Sequence, residues 1–598
     1  MSAKLLMGNE AIARAAIEAG LNLAAAYPGT PSSEIIGTLA EWSGSFDYYV
    51  EWSINEKAAL EVAAGAAYAG AYTLVAMKQV GLNVASDPLM SLAYIGVKGA
   101  MVIAVADDPG PHSSQTEQDT RVFAKFAKLP VFDPASPEEA YEMTKAAFEL
   151  SHRYQMPVLL RPTTRVCHAT AGIRFGEIRS NQVEGFVKDP KWVIFPRLSF
   201  QKHQWLEEQR VKLAEEFGSG PWNPIQPGDR TGIITGGVSY LYTLEAAERL
   251  GLNPTILKIG TPHPLPSQTI REFLARVDRV IVIEELDPVL EEGVVAAAGQ
   301  ADFRGPIHGK GSGDLPWAGE YSTDLIGNAL AKILNLPPAP AAAEARAAAP
   351  ELPVRPPVLC AGCPHRASFY GIKRATRGLN AIYTGDIGCY TLGNAPPLSM
   401  VDTCLCMGAG ITIAQGLSKM DPDRPVFAFI GDSTFFHSGI PGVLNAVYNR
   451  HPVKIVLLDN GTTAMTGHQP HPGIGRTACN LPAPAVDPVG ILKACGVEQV
   501  EVVNPLDLAA VKEAVGRALA VPGPSALVLR HPCVALYKPE RRFAVDQDLC
   551  TNCQRCIREL GCPAFFLDGK PQISRSCYGC GFCGQICPAG AIKEARDE

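Results

Sequence analysis

Cysteine spacing supplies the first chemistry in this sequence. Two runs near the C-terminus read Cys550-x2-Cys553-x2-Cys556-x5-Cys562-Pro563 and Cys577-x2-Cys580-x2-Cys583-x3-Cys587-Pro588. Three thiolates at this spacing can wrap one face of a [4Fe–4S] cube. In two-cluster arrangements the fourth cysteine, the one before proline, ligates the other cluster. The spacing therefore assigns Cys550, Cys553, Cys556 and Cys587 to one cluster, and Cys577, Cys580, Cys583 and Cys562 to a second. The x5 interval in the first run departs from the usual x3, which lengthens a loop without removing a ligand. Zinc is the competing occupant, but four-thiolate zinc sites usually pair two CxxC units across a longer loop. The tail reads as a path for electrons.

A second chemistry lies in "FIGDSTFFHSGIPGVLNAVYNRHPVKIVLLDNGTT", residues 429–463. One apolar run ends in Gly431-Asp432 and the next in Asp459-Asn460. That places Asp432 and Asn460 at the C-terminal ends of neighbouring strands, where open α/β sheets bind ligands. A carboxylate beside an amide oxygen suits Mg²⁺, a hard cation that keeps substrate phosphates in its shell. The segment resembles the diphosphate-binding motif of thiamine-diphosphate (ThDP) enzymes, Gly-Asp-Gly followed at about this distance by Asn, with Ser433 in place of the last glycine. The resemblance implies that Gly431, Asp432, Ser433, Asn460 and Thr462 cradle the cofactor and its Mg²⁺, the Thr462 main-chain carbonyl being a further metal ligand. ThDP enzymes also need a glutamate against the aminopyrimidine ring, held in a dry site where a carboxylate can act on the ring nitrogen. "NEKAALEVAAGAAYAGA" (55–71) resembles that element. Glu56, with Gly65 following at the family's spacing, is the candidate; Glu61 is its rival.

Alternating Ala-rich helical stretches and short apolar runs such as "YTLVAMK" and "GAMVIAVADD" predict an α/β unit with a mostly parallel sheet over 1–185. Residues 186–225 look irregular. "TGIITGG", "PTILKIG" and "RVIVIEEL" predict a second α/β unit, and we set its limits at 186–335. The Pro/Ala-rich stretch 336–353 reads as a linker. "PVFAFIG", "VKIVLLD" and "SALVLRH" mark a third α/β unit, 354–540, and the cysteine-rich tail fills 541–598. The expected class is multidomain α/β with a ferredoxin-like end.

Composition excludes several functions. A net charge of −7 and a pI near 6.0 give no electrostatic basis for nucleic-acid binding. The N-terminus lacks the apolar core of a signal peptide, and no apolar stretch approaches the ~20 residues of a membrane span. Seventeen cysteines without a leader point to metal and redox chemistry in the cytoplasm.

These motifs together resemble the large (α) subunits of indolepyruvate:ferredoxin oxidoreductases, within the 2-oxoacid:ferredoxin oxidoreductase superfamily. The likeness runs through "YPGTPSSE" (27–34), "GLNVASDPLM" (81–90), "DDPGPHSSQTEQDTR" (107–121), "GCPHR" (362–366), "GDIGCYTLG" (385–393) and the tail. It implies two ThDP-binding domains, the pyrimidine-binding one first and the diphosphate/Mg²⁺-binding one over 354–540, flanking a domain like the C-terminal domain of transketolase. It implies that Thr30 contacts substrate or cofactor, that an arginine, here Arg121, binds the substrate carboxylate, and that His112, Ser114 and Gln115 line the pocket. Gln79 stands where relatives lead one to expect His. Cys360, Cys363, Cys389 and Cys533 match four cysteines that hold a third [4Fe–4S] cluster near ThDP, with Cys404 and Cys406 as alternative ligands; Cys167, Cys479 and Cys495 read as structural. The implied reaction is oxidative decarboxylation of an aryl pyruvate to an acyl-coenzyme A (CoA), with ferredoxin as electron acceptor. A smaller β subunit would complete the CoA site in an (αβ)2 assembly, with each ThDP site formed across a chain interface. Oxidation of another 2-oxoacid, a non-oxidative ThDP decarboxylase or carboligase, and a non-catalytic electron-transfer subunit are the alternatives.

Overall fold

The computed structural model describes residues 3–337, 352–353 and 355–595, in two compact units, 1–351 and 352–598. Most of the linker stretch 336–353 lies outside the described residues.

In the first unit a six-stranded parallel sheet runs in the order Tyr49–Trp52, Leu23–Ala26, Tyr72–Lys78, Ala100–Ala106, Val158–Leu160, Val131–Phe132. Its central strands are buried almost throughout, which is why they read as unbroken apolar runs and not as alternating ones. A second, five-stranded sheet is built on Asp229–Gly236, with Arg279–Ile283 on one side and Pro254–Ile259 on the other. The stretch read as irregular contains the long helix Pro196–Ser219. Only Leu206, Gln209, Leu213 and Phe217 of this helix are buried, so its apolar stripe is too narrow to announce itself.

Buried charge joins the two sheets of this unit. Arg121 is 2% exposed and gives its guanidinium to Asp119 (2.6 Å), to Glu284 (2.8 Å) and to the carbonyls of Glu285 (2.7 Å) and Asp287 (2.9 Å). Beside it Arg161 pairs with Asp107 at 2.7 Å and Asp133 at 3.2 Å. Burial pushes the Glu284 carboxyl up, and the Arg121 charge and two backbone amides pull against it.

The second unit holds a five-stranded parallel sheet in the order Ile382–Thr384, Val426–Gly431, Lys454–Asp459, Ser525–Arg530, Gln499–Val503. The tail adds two small antiparallel ribbons, Phe543–Val545 with Ile592–Glu594 and Phe565–Asp568 with Lys570–Ile573. It is not a tethered appendage. Leu560, Phe582, Cys583 and Ile586 share one apolar cluster with Phe369 and Tyr370 of the helix Pro364–Ala375. Tyr370 also donates to Glu559 at 2.6 Å, and Gln585 bridges the Leu506 carbonyl and the Leu508 amide.

Replacing Arg121 leaves Asp119 and Glu284 buried without their counter-charge. Arg121→Met is expected to cost about 3–5 kcal/mol, read as an earlier urea transition of the first unit. An unmoved transition would show that the network does not hold the two sheets together.

Candidate functional site

Four adjacent parallel strands of the second unit deliver their following residues to one edge. Ile382–Thr384 leads to Asp386, Cys389 and Tyr390; Val426–Gly431 to Asp432; Lys454–Asp459 to Asn460; and Ser525–Arg530 to Cys533. Asp432 and Asn460 are both buried. The Asp432 carboxylate accepts from the amides of Ser433 (2.8 Å), Gly461 (2.7 Å) and Asn460 (3.1 Å) and faces His471 Nε2 at 3.2 Å. Burial opposes its ionisation, but His471 and these amides outweigh that and hold the carboxyl below its usual range. Asn460 Nδ2 lies 3.3 Å from His365 Nε2. Burial lowers the His365 pKa to about 4, so the imidazole is neutral and accepts from the amide nitrogen. This leaves Asn460 Oδ1 as the oxygen donor. The Thr462 hydroxyl is buried without a partner. One carboxylate, one fixed amide oxygen and an unanswered hydroxyl form an oxygen-rich donor set that fits Mg²⁺.

Gly431 is required by a ring, not by its backbone: an added Cβ would lie 2.7 Å from Tyr390. The Tyr390 hydroxyl donates to Asp386, whose other oxygen takes the Gly408 amide at 2.9 Å. Burial pushes the Asp386 carboxyl up to about 7.

Twelve of the 17 cysteines fall into three groups. Cys550, Cys553, Cys556 and Cys587 line one small cavity; Cys562, Cys577, Cys580 and Cys583 line another, which Cys363 also borders. The tail thus folds so that each crossed set of four meets around its own space. Among the described residues no three His, Cys, Asp or Glu side chains are grouped as tightly as a single ion would need, and the corners of a cube hold thiolates farther apart. Cys360, Cys389 and Cys533 form the third group. Burial pushes the Cys389 thiol up to about 11, with Cys533 and Cys360 as its neighbouring thiols. Cys363 joins them through its amide, which donates to the Cys360 carbonyl at 3.2 Å. Cys404 and Cys406 neighbour Asp386 and are not drawn into this set. Cys167 is fully buried in the first unit.

In the first unit Glu56 opens the helix Glu56–Tyr68, whose N-cap Asn55 accepts from the Ala58 amide. Glu56 is buried, and an added Cβ on Gly81 would lie 2.7 Å from its Oε1. Glu61 is at the surface, paired with Lys57 at 2.7 Å. Gly65, whose spacing singles out Glu56, has nothing within 4 Å of an added Cβ in this chain. The glycine that makes room for the carboxylate is Gly81.

Family models match in both units. "Pyruvate flavodoxin/ferredoxin oxidoreductase, thiamine diP-bdg" covers residues 14–188, and "Thiamine pyrophosphate enzyme, C-terminal TPP binding domain" covers 386–529. The indolepyruvate oxidoreductase subunit IorA of Archaeoglobus fulgidus is 44% identical over 99% of this chain and 97% of its own length. That of Thermococcus kodakarensis is also 44% identical over the same shares. A 2-oxoglutarate synthase subunit KorA of Archaeoglobus fulgidus is 26% identical over 48% of this chain and 88% of its own. The chain belongs to the indolepyruvate oxidoreductase subunit IorA family. It is a 2-oxoacid oxidoreductase subunit with ThDP-binding domains.

Within this family reading, Arg121 cannot be the receptor for a substrate carboxylate. It is sealed in the network between the two sheets, and its donors are spent on protein oxygens. An arginine suits carboxylate recognition by type, but its type says nothing about who already holds it. His112 is exposed, 3.2 Å from Glu320. Thr30 sits in the loop after Leu23–Ala26, where its carbonyl accepts from Ser113 Oγ at 3.0 Å.

Three residues of these sites escape motif reading. Lys78, at the end of Tyr72–Lys78, donates its amine to the Ser113 carbonyl at 3.0 Å, and its stem lies against Gly29. Burial pushes its pKa down while Asp108 and Glu56 pull it back up. The neighbouring Gln79 is buried and braces the same loop through the Thr116 carbonyl and Ser114, while Gln115 is exposed. His365 and His471 are the other two. His365 stands inside "GCPHR", two positions after Cys363, and nothing local points to its partner Asn460, 95 positions further on. Only the fold brings them together.

Since Glu56 fits against Gly81 with no space to spare, Gly81→Ala is expected to displace the carboxylate. A misplacement of about 1 Å can cost about 10²-fold in rate, so 2-oxoacid turnover should fall by about that factor while the circular dichroism spectrum stays unchanged. Turnover at the parental rate would show that Glu56 does not need this seat.

Proposed function

We propose that this chain is the catalytic subunit of an indolepyruvate:ferredoxin oxidoreductase. It would oxidise an aryl pyruvate and CoA to an aryl-acetyl-CoA and CO2, passing two electrons singly through [4Fe–4S] clusters to two ferredoxins. The observation that carries the reading is the shared strand edge of the second unit. The oxygen donors Asp432 and Asn460 stand between Cys389 and Cys533 there, so oxidation at ThDP would have an electron acceptor in the next layer of residues.

Bound ThDP supplies the electron sink for decarboxylation; the protein supplies position, charge and dryness. Asp432, Asn460 and the Thr462 carbonyl would hold the Mg²⁺ and through it the diphosphate, with Gly431 and Ser433 lining the cradle. Glu56 would hold the proton at the aminopyrimidine nitrogen. With Arg121 committed elsewhere, Lys78 takes over the substrate carboxylate in this reading, as the half-buried cation beside Glu56. Cys360, Cys363, Cys389 and Cys533 would hold a third cluster, and the two tail sets one cluster each in a ferredoxin-like domain. The relatives are named as subunits, which supports a partner chain; in this reading it is a smaller subunit that completes the CoA site, in an (αβ)2 assembly in the cytoplasm.

Anaerobic spectroscopy of the purified complex tests this. Indolepyruvate with CoA should bleach the cluster absorbance, and Glu56→Gln should abolish the bleaching with iron retained. Consumption of the 2-oxoacid with the clusters unchanged would overturn the oxidoreductase reading. About 12 iron atoms per chain would support three clusters, and about eight would reject the third. Lys78→Gln is expected to raise KM for the 2-oxoacid at least about tenfold, the loss of about 1.4 kcal/mol of charge-assisted binding; an unchanged KM would remove Lys78 from substrate recognition.

A further inference from the structure

Arg366 is a buried cation with no carboxylate to answer it. It is 6% exposed. Its Nη1 donates to the carbonyls of Leu560 (2.9 Å) and Gly561 (2.8 Å), and its Nη2 to the carbonyl of Leu359. Its Nε is buried with no partner. In the first unit buried Arg121 and Arg161 each hold two carboxylates and buried Arg14 holds Glu18, but among the described residues no carboxylate pairs with Arg366. What surrounds it is sulfur: Cys562, Cys363, Cys360 and Cys580 are its neighbours.

Taking a guanidinium out of water costs several kcal/mol unless an opposite charge answers it. Neutral carbonyls replace part of its hydration but none of its counter-charge. A [4Fe–4S] cluster with four thiolates is a net anion, and its potential rises when positive charge stands beside it, because reduction adds a negative charge. Arg366 borders the cavity lined by Cys562, Cys577, Cys580 and Cys583, where Cys363 of the third set also stands. The cavity of Cys550, Cys553, Cys556 and Cys587 is lined by tail residues alone and has no charged side chain in its wall.

We propose that Arg366 is the resident counter-charge of the inner tail cluster, held by Cys562, Cys577, Cys580 and Cys583, and sets its reduction potential above that of the outer tail cluster. The inner cluster then collects each electron first and holds it until the outer cluster passes it on. Each transfer moves one electron, reducing the receiving cluster as the donor is reoxidised. Arg366 is a positioning residue in this scheme; it takes no part in bond making. The inference rests on the iron–sulfur reading of the tail.

The test is a potentiometric titration of the anaerobic holoenzyme with dithionite, followed by electron paramagnetic resonance. In the parental protein the two tail clusters should titrate at separate midpoints. Arg366→Gln should lower the higher midpoint by at least about 59 mV, a tenfold change in the reduced-to-oxidised ratio at fixed potential, and leave the lower one in place. Arg366→Lys, which keeps a charge but not the fork, should fall between them. Full iron with an unmoved midpoint in Arg366→Gln would overturn the proposal. Should that variant fail to hold iron, the parental protein still decides, since equal midpoints for its two tail clusters would overturn the proposal alone. A parental protein without iron would instead overturn the iron–sulfur reading beneath it.

Discussion

A charge that a protein takes out of water must meet an opposite charge, or dipoles that replace its hydration, and this demand organises both units. In the first, Arg121 and Arg161 answer four carboxylates, and Arg121, through Glu284, ties one sheet to the other. In the second, Asp432 is answered by His471 and by three backbone amides. These amides also fix the carboxylate's direction. Arg366 has only backbone carbonyls as hydrogen-bond partners, with cysteine sulfur around it.

The parallel sheet adds a second constraint. Its strands are buried on both faces, so reactive groups can gather only at the strand ends. Asp386, Asp432, Asn460 and Cys533 follow four neighbouring strands and share one edge for that reason. Oxygen donors and cysteines come from the same set of turns.

These two constraints explain what the sequence discloses and what it hides. Apolar runs give buried strands directly, so "YTLVAMK" and "VKIVLLD" can be placed as Tyr72–Lys78 and Lys454–Asp459. Cysteine spacing is local geometry, and the crossed grouping of the tail cysteines is legible from it. Partners far apart in the chain are not. His365 lies 95 positions from Asn460, and Glu284 lies 163 from Arg121; no spacing rule connects such pairs. Hence His365 goes unnoticed in the sequence, and Arg121 attracts a role that its burial rules out. The helix Pro196–Ser219 is lost because four buried side chains in 24 residues leave little pattern to see.

The start of the helix Pro364–Ala375 ties these threads together. Cys363 caps it, and His365 and Arg366 are consecutive in its first turn. At 3.6 residues per turn, consecutive side chains point about 100° apart. His365 can therefore reach Asn460 while Arg366 reaches the carbonyls of Leu560 and Gly561 in the tail. One rigid turn thus holds a contact to the Asn460 amide, the Cys363 thiol and the Arg366 cation. The spacing between these groups is set by helix geometry, with no linker whose motion could stretch it. An insertion of a single residue after Cys363 would rotate both side chains away from their partners at once, so the amide contact and the tail contact stand or fall together.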